Sequence, residues 1–340
     1  MYSLSLFPGL LLLGGSLAQS TSYSDTIFSP SIAEKYNRIA ANYRPGWTSG
    51  FFPGSLYLLE ERKKLCPYDK SLNSVDWLTY ARHWSDGVLQ LQWGNSRQHD
   101  QGFLAIPFLS ELKVNPNNVT AVNAVKNLAG LLANRYSSVV GCTRSKNSTA
   151  PDEFSVIIDN MMNLEVLCTA AELSGNQTLA EIALSHANKT ITYGVRPDGS
   201  SPHVIIFNET TGAFMREDTI QGYARNRLPS VGVPPWDFDA PESNPPADTS
   251  AATIAAEGLF ILSAAEAHVQ NTTGANYYSE RAVKLLSDTF NFAFNPSWES
   301  ILSNATSYYA IGDKNIALIY GDYYALQAGN SMLKLGLASC

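Results

Sequence analysis

The sequence predicts an all-α protein built as a helical toroid, and three observations carry that prediction. Roughly ten segments repeat apolar residues at helical spacing, short loops join most of them in antiparallel-looking pairs, and only two short stretches read as strand. No repeat of fixed length is visible, so the rhythm of pairs points to a ring of helical hairpins rather than a bundle. A ring leaves helix ends around a central cleft. Acids that head helices there become candidates for its chemistry.

From the N-terminus, Leu4 to Leu13 is an apolar run followed by Ser16-Leu17-Ala18, so residues 1–18 read as a secretory signal peptide, although the positively charged start is missing. Ser29 to Tyr43 is a first helix, with Ile32, Ala33, Tyr36, Ile39 and Ala40 at helical spacing. Pro45-Gly46 breaks the chain, and a second helix runs from about Ser49 to Lys64. Trp47 stands at its mouth with Phe51 four residues on; aromatics so placed are ordinarily core. Gly50 and Gly54 suggest that something approaches this backbone closely. Ser74 to Gln92 is a long helix, and another starts near His99 or Asp100. Further helices cover Val119 to Ser137, Asp159 to Ser174 and Asn176 to Thr192, with Gly141 to Asp152 between them as a polar surface loop. His203 to Phe207 and Gly212 to Phe214 suit one short hairpin, and a long Pro-rich irregular stretch follows. Helices resume at Thr249 to Gln270, Asn276 to Phe294 and Gly321 to Leu335.

Composition narrows the setting. Seven Asn-x-Ser/Thr sequons (Asn118, Asn147, Asn176, Asn188, Asn208, Asn271 and Asn304) agree with a secreted, extracellular glycoprotein. Cys66, Cys142, Cys168 and Cys340 are too few for a disulfide-built fold, and their pairing stays open. No Cys/His cluster suggests zinc. A net charge of −7 gives no reason to expect nucleic acid or an anionic membrane as partner, and no later stretch is long and apolar enough to span a bilayer. An anionic substrate would need local cationic or hydrogen-bonding help.

In FSVIIDNMMNLEVL (Phe154 to Leu167) a single carboxylate, Asp159, heads a segment that is otherwise nearly all apolar. A helix starting there sets Asp159 and Asn163 on one face with Asn160 beside them. Met161, Met162, Leu164, Leu167 and Cys168 cover the rest, so the helix should be buried. A buried ionised carboxylate needs partners. Asp159 therefore either caps the helix, its commonest duty, or faces a cleft with its pKa raised. His99-Asp100 repeats the pattern at the head of another apolar helix, where a plain cap with a surface histidine is an equal reading.

The motifs WTSGFFPGSLYLLEE (Trp47 to Glu61), HDQGF (His99 to Phe103), VIIDNMMNLEVL (Val156 to Leu167), IQGY (Ile220 to Tyr223), WDFDAP with DTSAATIAAEGL (Trp236 to Leu259) and YGDYYALQA (Tyr320 to Ala328) stand in one order along most of the chain. Together they resemble the unsaturated glucuronyl hydrolases of glycoside hydrolase family 88. The resemblance implies that residues 19–340 form a single (α/α)6-type barrel catalytic domain. It also implies hydrolysis of unsaturated uronyl oligosaccharides: a carboxylic acid protonates C4 of the vinyl ether, water adds at C5, and the hemiketal releases the unsaturated uronic acid. Asp159 matches the family's acid and Asp100 its partner. Trp47 and Phe51 are expected to pack on the planar sugar ring and His99 to help hold it, while His203 and Gln221 match binding positions by spacing and by the QGY motif. Two acids sharing an aromatic-walled pocket would raise one pKa, as proton donation to carbon requires. No metal or organic cofactor is expected.

The chain also departs from that pattern. Only Ala224 to Pro235 lies between Tyr223 and Trp236, too little for the two helices the family places there. The resemblance therefore implies a deletion near 224–235, one missing helical hairpin, loss of a substrate-gripping arginine and tryptophan, and apolar surface exposed on the flanking helices. Missing coding sequence, an inactive truncated homologue, or closure by GYARNRLPSVGV with Arg225 or Arg227 on the substrate carboxylate would each account for it. Ser145-Lys146-Asn147 stands where the family carries a further tryptophan. Two other functions stay open: the related unsaturated rhamnogalacturonyl hydrolases of pectin fragments, and a carbohydrate-binding remnant without turnover.

Overall fold

A computed structural model describes residues 26–39, 46–93, 98–148, 150–197, 200–218, 232–237 and 245–340. The expected signal peptide, Gln221, Arg225, Arg227 and most of the expected deletion lie outside the described residues.

The helices are α1 (Ser31–Ile39), α2 (Phe51–Leu65), α3 (Lys70–Asn73), α4 (Trp77–Leu89), α5 (Gln101–Val114), α6 (Val119–Ala133), α7 (Leu164–Ser174), α8 (Gln177–Gly194), α9 (Thr249–His268), α10 (Thr272–Ala293) and α11 (Ile319–Lys334). Five strands join them: β1 (Tyr136–Ser137), β2 (Cys142–Thr143), β3 (Glu153–Ile157), β4 (Val204–Asn208) and β5 (Phe214–Asp218). In space α7 packs on α5, α5 on α2, α2 on α11 and α11 on α9. That arc is the inner wall. Helices α4, α6, α8 and α10 lie against its outside, alternating with inner helices along the chain. The expected toroid is present, and the described helices fall short of the twelve of a complete (α/α)6 barrel. Among the described residues the alternation breaks between α8 and α9, where a further inner and outer helix would continue it.

Inner helices are apolar on almost every side because they are covered from both sides. In α5, every residue from Gln101 to Leu109 is buried, and α11 buries Gly321 to Leu326 without a break. Gly50 and Gly54 do face a close approach: a side chain at Gly50 would overlap the Phe103 carbonyl, and one at Gly54 would overlap Ile106. The approaching body is α5. A disulfide joins Cys66, at the end of α2, to Cys340, with Cα atoms 5.5 Å apart; Cys142 and Cys168 are free.

Several expectations change. The helix read as Ser74 to Gln92 starts at Trp77, because the Asp76 side chain accepts from the Thr79 N–H and caps it; the extra turn α3 is capped by Asp69. The single hairpin becomes a sheet of order β3-β4-β5, in which Phe154 pairs with Phe207 and Val156 with Ile205. FSVI is therefore strand, its side chains buried under β4 and α8. The helix expected from Asp159 begins as a 3-10 segment, Ile158–Asn163, and becomes α-helical at Leu164. It is not buried all round: Met161, Glu165, Cys168 and Glu172 form an exposed stripe. Helix α9 is long and apolar enough in composition to cross a membrane, contrary to the sequence reading, yet it packs on α10 and α11 and buries Ala252, Ala256 and Phe260. As expected beside a missing hairpin, it leaves Ile254, Ile261 and Leu262 exposed at 42%, 59% and 47%.

Candidate active site

The N-terminal ends of the inner helices meet at one end of the arc, and the candidate residues gather there. Asp100 occupies the N-cap position of α5 but makes no capping hydrogen bond. Asp159 lies in the 3-10 turn leading into α7, whose own N-cap is Asn163. Neither acid serves the plain capping role. Instead both carboxylates face His99, whose Nε2 lies 3.3 Å from Asp159 Oδ2 and 3.4 Å from Asp100 Oδ1.

His99 is only 5% exposed, so the surface-histidine reading falls. Its Nδ1 lies 2.9 Å from the Ser145 carbonyl oxygen, which can only accept, so Nδ1 carries a proton and donates. Nε2 is left to face the acids. Burial pulls the imidazole's pKa down, but the hydrogen bond and charge of Asp159 and the charge of Asp100 outweigh burial, and the net direction is up. One nitrogen and two carboxylate oxygens lie within 4.8 Å of one another, the one group of described residues that could hold a divalent cation. The same set holds a shared proton equally well, and three donors of this kind do not by themselves demand a metal.

Two side chains from the turn fix this spacing. Asn163 Oδ1 accepts from the Gly102 N–H at 2.8 Å, tying the α7 lead-in to the start of α5. Asn160 Nδ2 donates to the Thr143 carbonyl at 3.0 Å, tying it to β2. Both asparagines are buried, and a 3-10 turn sets residues three apart on one side, which leaves Asp159 turned the other way. A Cβ at Gly102 would lie 2.6 Å from both Asn163 Oδ1 and the Met162 carbonyl oxygen, so the two elements meet here only because residue 102 is glycine.

Trp47, 41% exposed, is the open face of an aromatic wall. Its ring lies 5.4 Å from Phe103, 5.6 Å from Tyr320 and 6.5 Å from Phe51, centroid to centroid. Phe51 corrects the expectation. At 1% exposure it is sealed by Phe103, Tyr320, Tyr323 and Tyr324, so it backs Trp47 instead of meeting a sugar. His203 stands just before β4, and its carbonyl accepts from Ile158 N–H at 3.1 Å. Burial lowers its imidazole pKa against the opposing charge of Asp159. The structure thus brings His99, Asp100, Asp159 and His203 together, with Trp47 joined to the start of α5 through Phe103.

Ser145, Phe103 and Tyr320 were not singled out from sequence. The two aromatics sit inside the motifs HDQGF and YGDYYALQA, a usable signal. Ser145 lies in the stretch read as a surface loop, yet it is fully buried: its N–H donates to the Ser155 carbonyl at 2.8 Å and its Oγ accepts from Ile157 N–H at 2.7 Å.

A helical toroid with a histidine-linked acid pair and an open tryptophan at the same end fits a carbohydrate-processing enzyme, a glycoside hydrolase, and its similarity to known proteins agrees. A scan against protein-family models finds no match. Over 327 residues the chain is 32% identical to the unsaturated glucuronyl hydrolase of Formosa agariphila, covering 83% of this chain and 78% of that protein. It is 25% identical over 326 residues to the unsaturated chondroitin disaccharide hydrolase of Streptococcus pneumoniae, covering 83% and 80%. In fold it resembles a crystal structure of an unsaturated glucuronyl hydrolase specific for heparin, with a TM-score of 0.78 at 24% identity over 93% of this chain and 99% of that one. The chain belongs to the unsaturated glucuronyl hydrolase family.

Proposed function

We propose that this protein hydrolyses oligosaccharides ending in a 4,5-unsaturated uronic acid, by adding water across the vinyl ether and releasing that terminal residue as a 4-deoxy-5-keto uronic acid. The observation that carries the reading is the state of Asp159. His99 Nε2 lies 3.3 Å from its Oδ2, its Oδ1 is buried without a partner, and the side chain as a whole stays 40% exposed. Asp100 is more enclosed, at 21%.

One mobile proton is shared among His99 Nε2 and the two carboxyls. From the Asp159 carboxyl it is delivered to C4 of a sugar lying on Trp47. The C4=C5 bond takes the proton, the positive charge develops at C5 next to the ring oxygen, and water adds there while a carboxylate accepts its proton. The product is a hemiketal, which opens and expels the neighbouring sugar. His99 keeps both acids in register throughout because its Nδ1–H is committed to Ser145.

Incubation with an unsaturated uronyl disaccharide should remove the ultraviolet absorbance of the conjugated enoate. Asp159→Asn should slow this by roughly 10²- to 10⁴-fold, the usual worth of a positioned general acid. Binding without loss of absorbance in the unaltered protein would identify a remnant instead. We further propose that the protein is secreted. The Cys66–Cys340 bond supports this, since disulfides persist in oxidising compartments. An amidase that removes Asn-linked glycans should lower the mass of the secreted product.

A further inference from the structure

Ser145 is pinned by β3 on one side and by His99 on the other, and Lys146 follows it directly. Its backbone therefore starts one residue from the carbonyl that orients the catalytic imidazole. Lys146 is exposed, and its charge acts on His203, the imidazole beside Asp159.

The other cations around this loop are committed. Arg135 donates from Nε to the Arg144 carbonyl at 2.8 Å and from Nη2 to the Ser145 carbonyl at 3.0 Å. Arg144 pairs with Glu209 and covers the Phe154 ring at 4.4 Å. Arg196 pairs with Glu217, and Arg216 with Glu153 and Asp218. Burial keeps His203 toward its neutral form. Lys189 stands over the Tyr193 and Phe207 rings, whereas Lys146, among the described residues, is exposed and has neither a ring, a hydrogen bond nor an ion pair to hold its charge. The site needs such a charge, because Asp100 and Asp159 repel any sugar that carries its own negative group.

We propose that Lys146 is the anion anchor of the site, its ammonium taking a carboxylate or sulfate borne by the unsaturated sugar. The proposal rests on the hydrolase reading above. A lysine suits the role: a point charge on a flexible stem adapts to either anion and does not prescribe the geometry of a carboxylate fork. The contact fixes the sugar's position and leaves the proton transfer to Asp159.

The test compares Lys146→Met and Lys146→Arg by steady-state kinetics on three substrates: an unsaturated uronyl disaccharide, its methyl ester and its sulfated form. Lys146→Met should raise KM for the free acid roughly ten-fold, with kcat changing far less, while the ester's KM moves less than about two-fold; Lys146→Arg should recover most of the loss. A rise seen only with the sulfated form assigns the anchor to sulfate. Equal changes on acid and ester, or none on any substrate, overturn the proposal. Calorimetric binding of the same disaccharide to Asp159→Asn, with and without Lys146→Met, separates the two readings. If the unaltered enzyme turns over nothing, a ten-fold difference in Kd still supports the anchor, and equal values reject it.

Discussion

The imidazole of His99 touches three oxygens, and each decides something. The Ser145 carbonyl selects the tautomer; the two carboxylates raise the pKa. Because the folded pKa stands above the unfolded value of 6.5, the contact stabilises the fold fully below about pH 6.5 and loses that contribution as pH rises through the raised folded value. The gap in Tm between the native protein and His99→Gln should therefore narrow from pH 5 to pH 8, measured by calorimetry; a gap that widens with pH would refute the assignment. At this scale the acids were legible, since a carboxylate heading an apolar helix demands explanation. Ser145 was not, because it acts through a backbone carbonyl that any residue supplies. Phe51 was misjudged because its burial depends on four rings distant in sequence. The sequons carry a plainer meaning too: Asn118, Asn176 and Asn271 are N-caps whose Oδ1 accepts backbone N–H groups of α6, α8 and α10.

Between elements, the site depends on how near α5 comes to the turn before α7. Gly102→Ala would force the Asn163 and Met162 backbone away, and backbone cannot yield as a flexible side chain can. We expect a loss of about 1–3 kcal/mol in stability and a fall in kcat of up to about 10²-fold, read by denaturant melts and enoate absorbance; Gly102→Ala with full activity would show that this approach is not what spaces the acids. Lower in the arc, α9 and α11 meet through Glu257, whose Oε1 accepts from Gln327 Nε2 at 3.1 Å. Burial pushes the Glu257 carboxyl up to about 7. Its Oε2 and the Gln327 Oε1 are both buried acceptors without a donor, and a retained acid proton supplies one. The folded state then holds a proton that the unfolded chain releases near 4.5, so stability is lost between about pH 4.5 and 7. Glu257→Gln should raise Tm at pH 8 by on the order of 2 °C and by less at pH 5. Helix periodicity made most helices legible, whereas β3 was hidden because FSVI is too short to separate strand from helix by pattern. Only its pairing with β4 decides.

For the whole molecule, the sequence foretold an incomplete ring, and among the described helices the alternation breaks between α8 and α9. Helix α9 bears its consequence in Ile254, Ile261 and Leu262, side chains of the kind a further hairpin would cover. The Cys66–Cys340 bond instead ties the end of α2 to the segment after α11, closing a loop of 274 residues. Cys340→Ser should lower the unfolding free energy by about 2–4 kcal/mol, read in denaturant under oxidising conditions; no change would mean that packing alone secures α2 to the C-terminus. Which cysteines pair could not be read beforehand, since four allow three pairings and only the fold brings these two together.

The shared orientation of the inner helices has one more effect. Helices α2, α5, α7, α9 and α11 all start at the end where Asp100 and Asp159 stand, and each helix start carries a partial positive charge from its aligned peptide dipoles. Their fields add at that end of the arc. In a chain of net charge −7 these helix starts offset part of the negative charge that Asp100 and Asp159 set before an acidic sugar, and salt should weaken that effect before it disturbs the fold.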